Sequence, residues 1–191
     1  MLAILALTFA AAPVPKDEQA DWKPVIKDRT FTFDNAVTAW NKGVEAAKKA
    51  GLTVEFAAGE NFLGGEFTFA KKDGPKFTVS GHAQSVYVMR GDVLYFADYS
   101  PISTGCQIAA YDLTTGKKAW KTQLEGLGPI DHTKYRNRVV MSVEQHPTVK
   151  EAFALVITSW EAAGGYIEVR DLATGKQLAL KKFETSELPK Q

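Results

Sequence analysis

Ala109-Ala-Tyr-Asp-Leu-Thr-Thr-Gly-Lys-Lys-Ala-Trp120 and Glu168-Val-Arg-Asp-Leu-Ala-Thr-Gly-Lys-Gln-Leu-Ala179 are two versions of one phrase. They share Asp-Leu-x-Thr-Gly-Lys, and the second copy begins at Asp171, 59 residues after Asp112. An Asp at the end of a strand accepts backbone N–H bonds from the turn that follows. Thr adds a weaker bond of the same kind, and Gly permits the positive φ that closes a hairpin. Lys starts the returning strand with a solvated charge. One copy would mark any hairpin. Two copies in matched strand context mark a repeat. Asp112, Thr115, Gly116 and Trp120, with Asp171, Thr174 and Gly175, are therefore read as structural motif residues.

Outward from each copy the period is two. Candidate strands are 85–89, 93–99, 107–112 and 118–124 around the first, and 138–144, 153–160, 166–171 and 177–183 around the second. Each copy thus marks the hairpin between the third and fourth strands of a four-stranded unit. Upstream, Leu52-x-Val54-x-Phe56, Phe67-x-Phe69 and Phe77-x-Val79 form shorter alternating runs bounded by Gly, Asp or Pro, a partial third unit. Before them, Val37, Trp40, Val44 and Ala47 recur at helical spacing. Asp34 reads as the N-cap, Lys48 and Lys49 suit the last turn, and Gly51 suits the position after the C-cap. Gly43 weakens that helix by roughly 1 kcal/mol relative to Ala. The expected architecture is mainly β: two to three four-stranded antiparallel blade-like sheets, an incomplete propeller or sandwich-like stack, with one N-terminal helix. Its expected segments are a signal at 1–12, a linker at 13–28, helix and short strands at 29–81, units at 82–128 and 129–185, and a tail at 186–191.

Ala110-x-Asp112-x-x-Thr115-Gly116-Lys117-x-x-Trp120 resembles the tryptophan docking motif of the PQQ-like β-propeller repeat family at every position. The resemblance covers residues 82–184. It implies that each unit is one blade and that Trp120 packs between blades against the neighbouring turn. The second copy departs from the pattern, with Val169 in place of the first Ala and Ala179 in place of Trp. That fits a terminal repeat, and it fits a diverged one. Propellers close with 4–8 blades. Two or three units cannot enclose a cofactor, so the family's quinone chemistry is not carried over and no cofactor is expected. Two sheets stacked at about 10 Å, with the helix of Trp40 over an open face, are preferred to an assembly of several chains.

Composition excludes more than it assigns. The 191 residues carry 23 Lys+Arg against 22 Asp+Glu, a net charge of +1. That balance argues against a nucleic-acid partner, which requires a basic surface. A single cysteine, Cys106, excludes an internal disulfide and a multi-Cys zinc site. Leu2–Ala12 is an uncharged run of eleven residues, too short to span a bilayer but suited to the core of an export signal. Cleavage is expected after Ala10 or Ala12, although no Lys or Arg precedes the run. No membrane span is expected. The expected address is exported, periplasmic or extracellular.

Catalytic patterns are thin. Ser100, Ser103 and Ser159 lack a Gly-x-Ser-x-Gly setting, and Gly64-Gly65 lacks the Lys-Ser/Thr of a phosphate loop. Asp131-His132 and Glu144-x-His146 are the only local metal-like pairings, and no metal is expected. The polar loop 131–137, with Asp98 and Tyr99, supplies the candidate binding residues: Asp98, Tyr99, Asp131, His132, Tyr135 and Arg136. Tyr and Arg are interface anchors elsewhere. The expected function is that of a non-enzymatic β-repeat interaction or scaffold module in the cell envelope. Its expected partner is a protein or glycan, with self-association through open blade edges as a further possibility. The alternative is a small ligand-binding protein or hydrolase with a loop site near Asp98, Cys106, Asp131, His132 and Arg136.

Overall fold

The computed structural model describes residues 20–60, 64–99, 106–126, 138–161 and 164–188. The chain is mainly β. Three antiparallel meanders follow one another: β1 (Leu52–Ala58), β2 (Gly65–Lys71) and β3 (Lys76–Gly81); then β4 (Val86–Arg90), β5 (Val93–Tyr99), β6 (Cys106–Asp112) and β7 (Lys118–Gln123); then β8 (Arg138–Gln145), β9 (Phe153–Glu161), β10 (Gly164–Asp171) and β11 (Gln177–Glu184). None closes into a barrel. The expected strands are all present, and the two repeat copies lie on the β6–β7 and β10–β11 hairpins.

The hairpin chemistry is nearly the same in both copies. Gly116 and Gly175 have φ of 70° and 72°, and each N–H donates to the carbonyl of its motif Asp, at 2.7 and 2.9 Å. Thr115 and Thr174 each accept from the following Lys N–H at 3.3 Å. The copies differ at one contact. The Asp171 carboxylate takes both the N–H and the hydroxyl of Thr174, whereas Asp112 takes the Thr115 N–H at 3.3 Å and, in addition, the N–H and hydroxyl of Thr114, one residue earlier.

The sheets stack face to face. Val54, Phe67, Phe69 and Phe77 of the first meet Leu94, Phe96 and Tyr111 of the second. The opposite face of the second (Tyr95, Ala97, Ile108, Ala110) meets Met141, Leu155 and Ile157 of the third. The third sheet is therefore buried on both sides. Its outer face, with Val156, Val169 and Phe183, is covered by Trp22, Ile26, Phe31 and Phe33. At the other end of the stack, the outward face of the first sheet carries Thr53, Glu55, Glu66, Thr68, Lys76 and Thr78, an alternation that needs no further layer.

One joint occurs twice between the sheets. Trp120 on β7 lies over Gly175, where a Cβ would come within 2.6 Å of the indole, and its Nε1–H donates to the Leu172 carbonyl at 3.0 Å. Phe77 on β3 lies over Gly116 in the same way, where a Cβ would meet the phenylalanine at 3.3 Å. Each outer strand thus seats an aromatic ring on the motif glycine of the next sheet. At the third such position stands Ala179, buried in the outer core beneath the N-terminal helices.

Two helices precede the strands, where one was expected. Helix α2 (Phe33–Lys49) is the one expected, but it starts one residue before Asp34. Thr32 is its N-cap, with no side-chain capping bond, so Asp34 sits in the first turn, where its charge suits the dipole. Gly51, with φ of 87°, follows the Ala50 C-cap. Helix α2 lies along the first strands of all three sheets, β1, β4 and β8. Gly43 permits this approach, since a Cβ there would press on Val88 at 3.2 Å. Helix α1 (Trp22–Lys27) occupies part of the expected linker at 13–28. Asp21 caps it by accepting from the Lys23 N–H at 3.0 Å. A single 3-10 turn, Thr185–Glu187, spans the expected boundary between the second unit and the tail at 186–191, and Leu188 within that tail is buried in the outer core. Residues 1–19, with the signal-like run, lie outside the described residues.

Candidate binding cleft

Where α2 crosses the starts of β4 and β8, the packing leaves a cleft of about 280 Å³. Its walls are the inward face of α2 (Phe33, Val37, Trp40), Val86 at the start of β4, Tyr99 at the end of β5 and Val139-Val140 near the start of β8. Gln84 and Arg138 supply the polar rim. Local bonds hold this frame. The Trp40 Nε1–H donates to the Tyr87 carbonyl at 3.0 Å, which fixes the indole and turns its ring to the cleft. The Ser85 hydroxyl accepts from the Tyr99 N–H at 3.2 Å and donates to the Tyr99 carbonyl at 3.3 Å, which pins the end of β5 to the start of β4.

Of the sequence-predicted binding residues, Tyr99 lines this cleft and Asp98 does not. Adjacent residues of a strand point to opposite faces. Tyr95, Ala97 and Tyr99 face the third sheet, so Asp98 faces the other way. Its carboxyl is pushed up by burial, opposed by the charges of Lys121 and His82. Cys106 pairs with Tyr99 and shares its face, so Asp98 and Cys106 do not converge on one pocket. Burial, then the charges of Asp98 and Glu168, push the Cys106 thiol far up. It stays protonated and is no nucleophile. Asp131, His132, Tyr135 and Arg136 lie outside the described residues.

The Glu144/His146 pairing is spent elsewhere. Glu144 takes two bonds from Arg29, at 2.5 and 3.3 Å, and one from the Ser142 hydroxyl at 3.1 Å, beside a small cavity of about 110 Å³. His146 Nδ1 accepts from the Thr148 and Val149 N–H groups at 3.3 and 3.2 Å. That fixes the proton on Nε2, which donates to the Asp21 carbonyl at 3.2 Å and ties α1 to the third sheet. No group of three or more His, Cys, Asp or Glu able to hold a metal occurs among the described residues. No described helix is long and apolar enough to cross a membrane.

Sequence reasoning missed a buried ion pair between the second and third sheets. Glu168 and Arg170 are 0% and 5% exposed. Arg170 Nη2 and Nε donate to Glu168 Oε2 at 2.5 and 3.2 Å, and Nη2 also donates to the Gln123 carbonyl at 3.0 Å. Glu168 Oε1 accepts the Gly126 N–H at 2.9 Å. The pair therefore holds the end of β7 and the chain beyond it against β10.

Burial, reinforced by Cys106 and opposed by Arg138, pushes the Tyr99 phenol up to about 12. Burial also raises Tyr87 and Tyr111. A phenol raised in the folded state is favoured there in its neutral form. Its contribution is intact below the ordinary value near 10 and is lost as pH rises from 10 toward 12. For Tyr99 that loss is on the order of 2–3 kcal/mol. Urea unfolding of the wild type should therefore weaken across this window, and Tyr99→Phe should lessen the slope. An unchanged slope in Tyr99→Phe would refute the assignment.

No protein-family model matches this chain, and no curated protein matches it. Among solved structures, the C-terminal domain of Bacillus megaterium YpeB is similar over 82% of this chain and 100% of that chain, with 8% identity and a TM-score of 0.20. That likeness establishes neither a fold family nor a function.

Proposed function

We propose that this chain is an exported, non-enzymatic β-repeat protein of the PQQ-like type, an interaction or scaffold module of the cell envelope. The repeated inter-sheet joint carries this reading: Phe77 on Gly116, then Trp120 on Gly175. It supports blade-like units that dock in series. The Asp112, Asp171, Glu168 and Arg170 side chains are all committed to turns and joints rather than displayed in a cleft. Repeat surfaces of this kind commonly serve recognition. The expected partner is a protein or glycan. Self-association through outer strands is opposed by lysines on those edges, Lys76, Lys118, Lys121, Lys181 and Lys182, a usual means of blunting strand pairing.

Cell fractionation and photocrosslinking test the proposal together. The protein should be recovered in the envelope fraction with a processed N-terminus. A crosslinker at Gln84 should give a discrete envelope adduct, and one at Thr68 on the polar outer face should not. A cytosolic, unprocessed protein, or crosslinking equal at the two positions, would overturn it.

A further inference from the structure

We infer that the cleft between α2, β4 and β8 is a binding site for a small monocarboxylate with an apolar body. This goes beyond the scaffold reading and does not depend on it.

Size limits the occupant first. An engineered apolar cavity of about 150 Å³ accommodates benzene. At about 280 Å³ the cleft admits a ring or branched chain with a short arm. It is too small for a helix. Its floor is apolar, made by Val37, Val86, Val139 and the face of Trp40. Burying a ring against that floor is favourable by roughly 25 cal/mol per Å² of apolar surface.

Charge sets the head group. Arg138 stands exposed on the rim, and no carboxylate pairs with it among the described residues. Three acids on nearby strands whose side chains are described are engaged elsewhere. Glu144 holds Arg29 and Ser142, Glu168 holds Arg170, and Asp98 lies on the far face of its sheet. None of the described residues lining the cleft is acidic. A guanidinium presents paired N–H donors that match a carboxylate. The Gln84 amide adds a neutral polar group on the same rim. An apolar pocket with a few polar groups at its mouth is the usual form of a small-molecule site. An apolar acid satisfies floor and rim together, whereas a neutral analogue satisfies only the floor.

The test uses 3-phenylpropionate, its neutral amide and a short peptide ending in Phe, titrated into the full chain. The indole N–H resonance of Trp40 and the backbone amides of Val86 and Val139 are followed by NMR. The acid should shift these signals saturably, and the amide should bind at least tenfold more weakly. Arg138→Gln should lose at least tenfold for the acid and little for the amide. Arg138→Lys should recover part of the loss. Val37→Trp, which fills the floor without touching the rim cation, should abolish binding of both. Thermal melts show whether each variant is folded. The inference is overturned if acid and amide bind equally, if neither binds, or if Arg138→Gln and Val37→Trp both bind the acid like the wild type. It is overturned too if the peptide binds far more tightly than the free acid, since the occupant is then a chain terminus. Envelope fractionation is unaffected by any of these results, so failure here is distinct from failure of the scaffold reading.

Discussion

Glu168→Gln should destabilise the protein by about 3–5 kcal/mol, seen as a large fall in the urea midpoint. Both oxygens of this buried carboxylate are used, one by Gly126 N–H and the other by two nitrogens of Arg170. A glutamine can still accept from Gly126. Its NH2 then faces the Arg170 donors, and the guanidinium is left charged, 5% exposed and short of an acceptor. Leaving a buried charge unpaired is the expensive part. A domain is stable by about 5–15 kcal/mol in all, so one such change removes a large share. The pair itself need not be a net gain. Joint replacement, Glu168→Leu with Arg170→Met, should therefore recover most of the loss, and the non-additivity of the cycle measures the coupling. If Glu168→Gln stays within about 1 kcal/mol of wild type, the pair is hydrated and does not clamp the sheets.

The strands were legible because period-two alternation and Gly-rich turns are local signals. The exceptions have physical causes. Pro24 and a run of charges point to a linker, yet Pro24 is the third residue of α1, where no intrahelical partner exists for its missing N–H. In Tyr166-Ile-Glu-Val-Arg170, alternation reads Glu168 and Arg170 as solvated. That reading assumes one wet face, and β10 is buried on both. Phe77 follows a Gly-Pro-Lys turn with no Asp-Leu-x-Thr-Gly beside it, so its equivalence to Trp120 appears only once the sheets are stacked. The cleft was least legible. Phe33, Val86 and Val139 are ordinary apolar residues far apart in the chain, and no spacing connects them. Tyr99 is legible because it closes a strand at the rim of the sheet, whereas Asp98, its neighbour in sequence, lies on the opposite face of that strand.

Trp120→Ala should cost about 3 kcal/mol. The indole contributes two separable things: a ring laid on Gly175 and beside Tyr95, with centroids 6.0 Å apart, and an N–H bond to the Leu172 carbonyl. Trp120→Phe keeps most of the ring and loses the bond, so it should cost about 1–2 kcal/mol. Calorimetry or urea unfolding of the three proteins ranks these terms. Gly175→Ala then separates the joint from the turn. Its φ of 72° strains any side chain, and its Cβ would lie 2.6 Å from the Trp120 ring. In wild type both penalties apply. In Trp120→Ala only the backbone strain remains, because the ring is gone. Gly175→Ala should therefore cost at least about 1 kcal/mol less in the Trp120→Ala background than in wild type. A cost equal in the two backgrounds would mean that the motif glycine serves the hairpin alone, and that the apolar faces and the Glu168–Arg170 pair join the second and third sheets without a repeat-type joint.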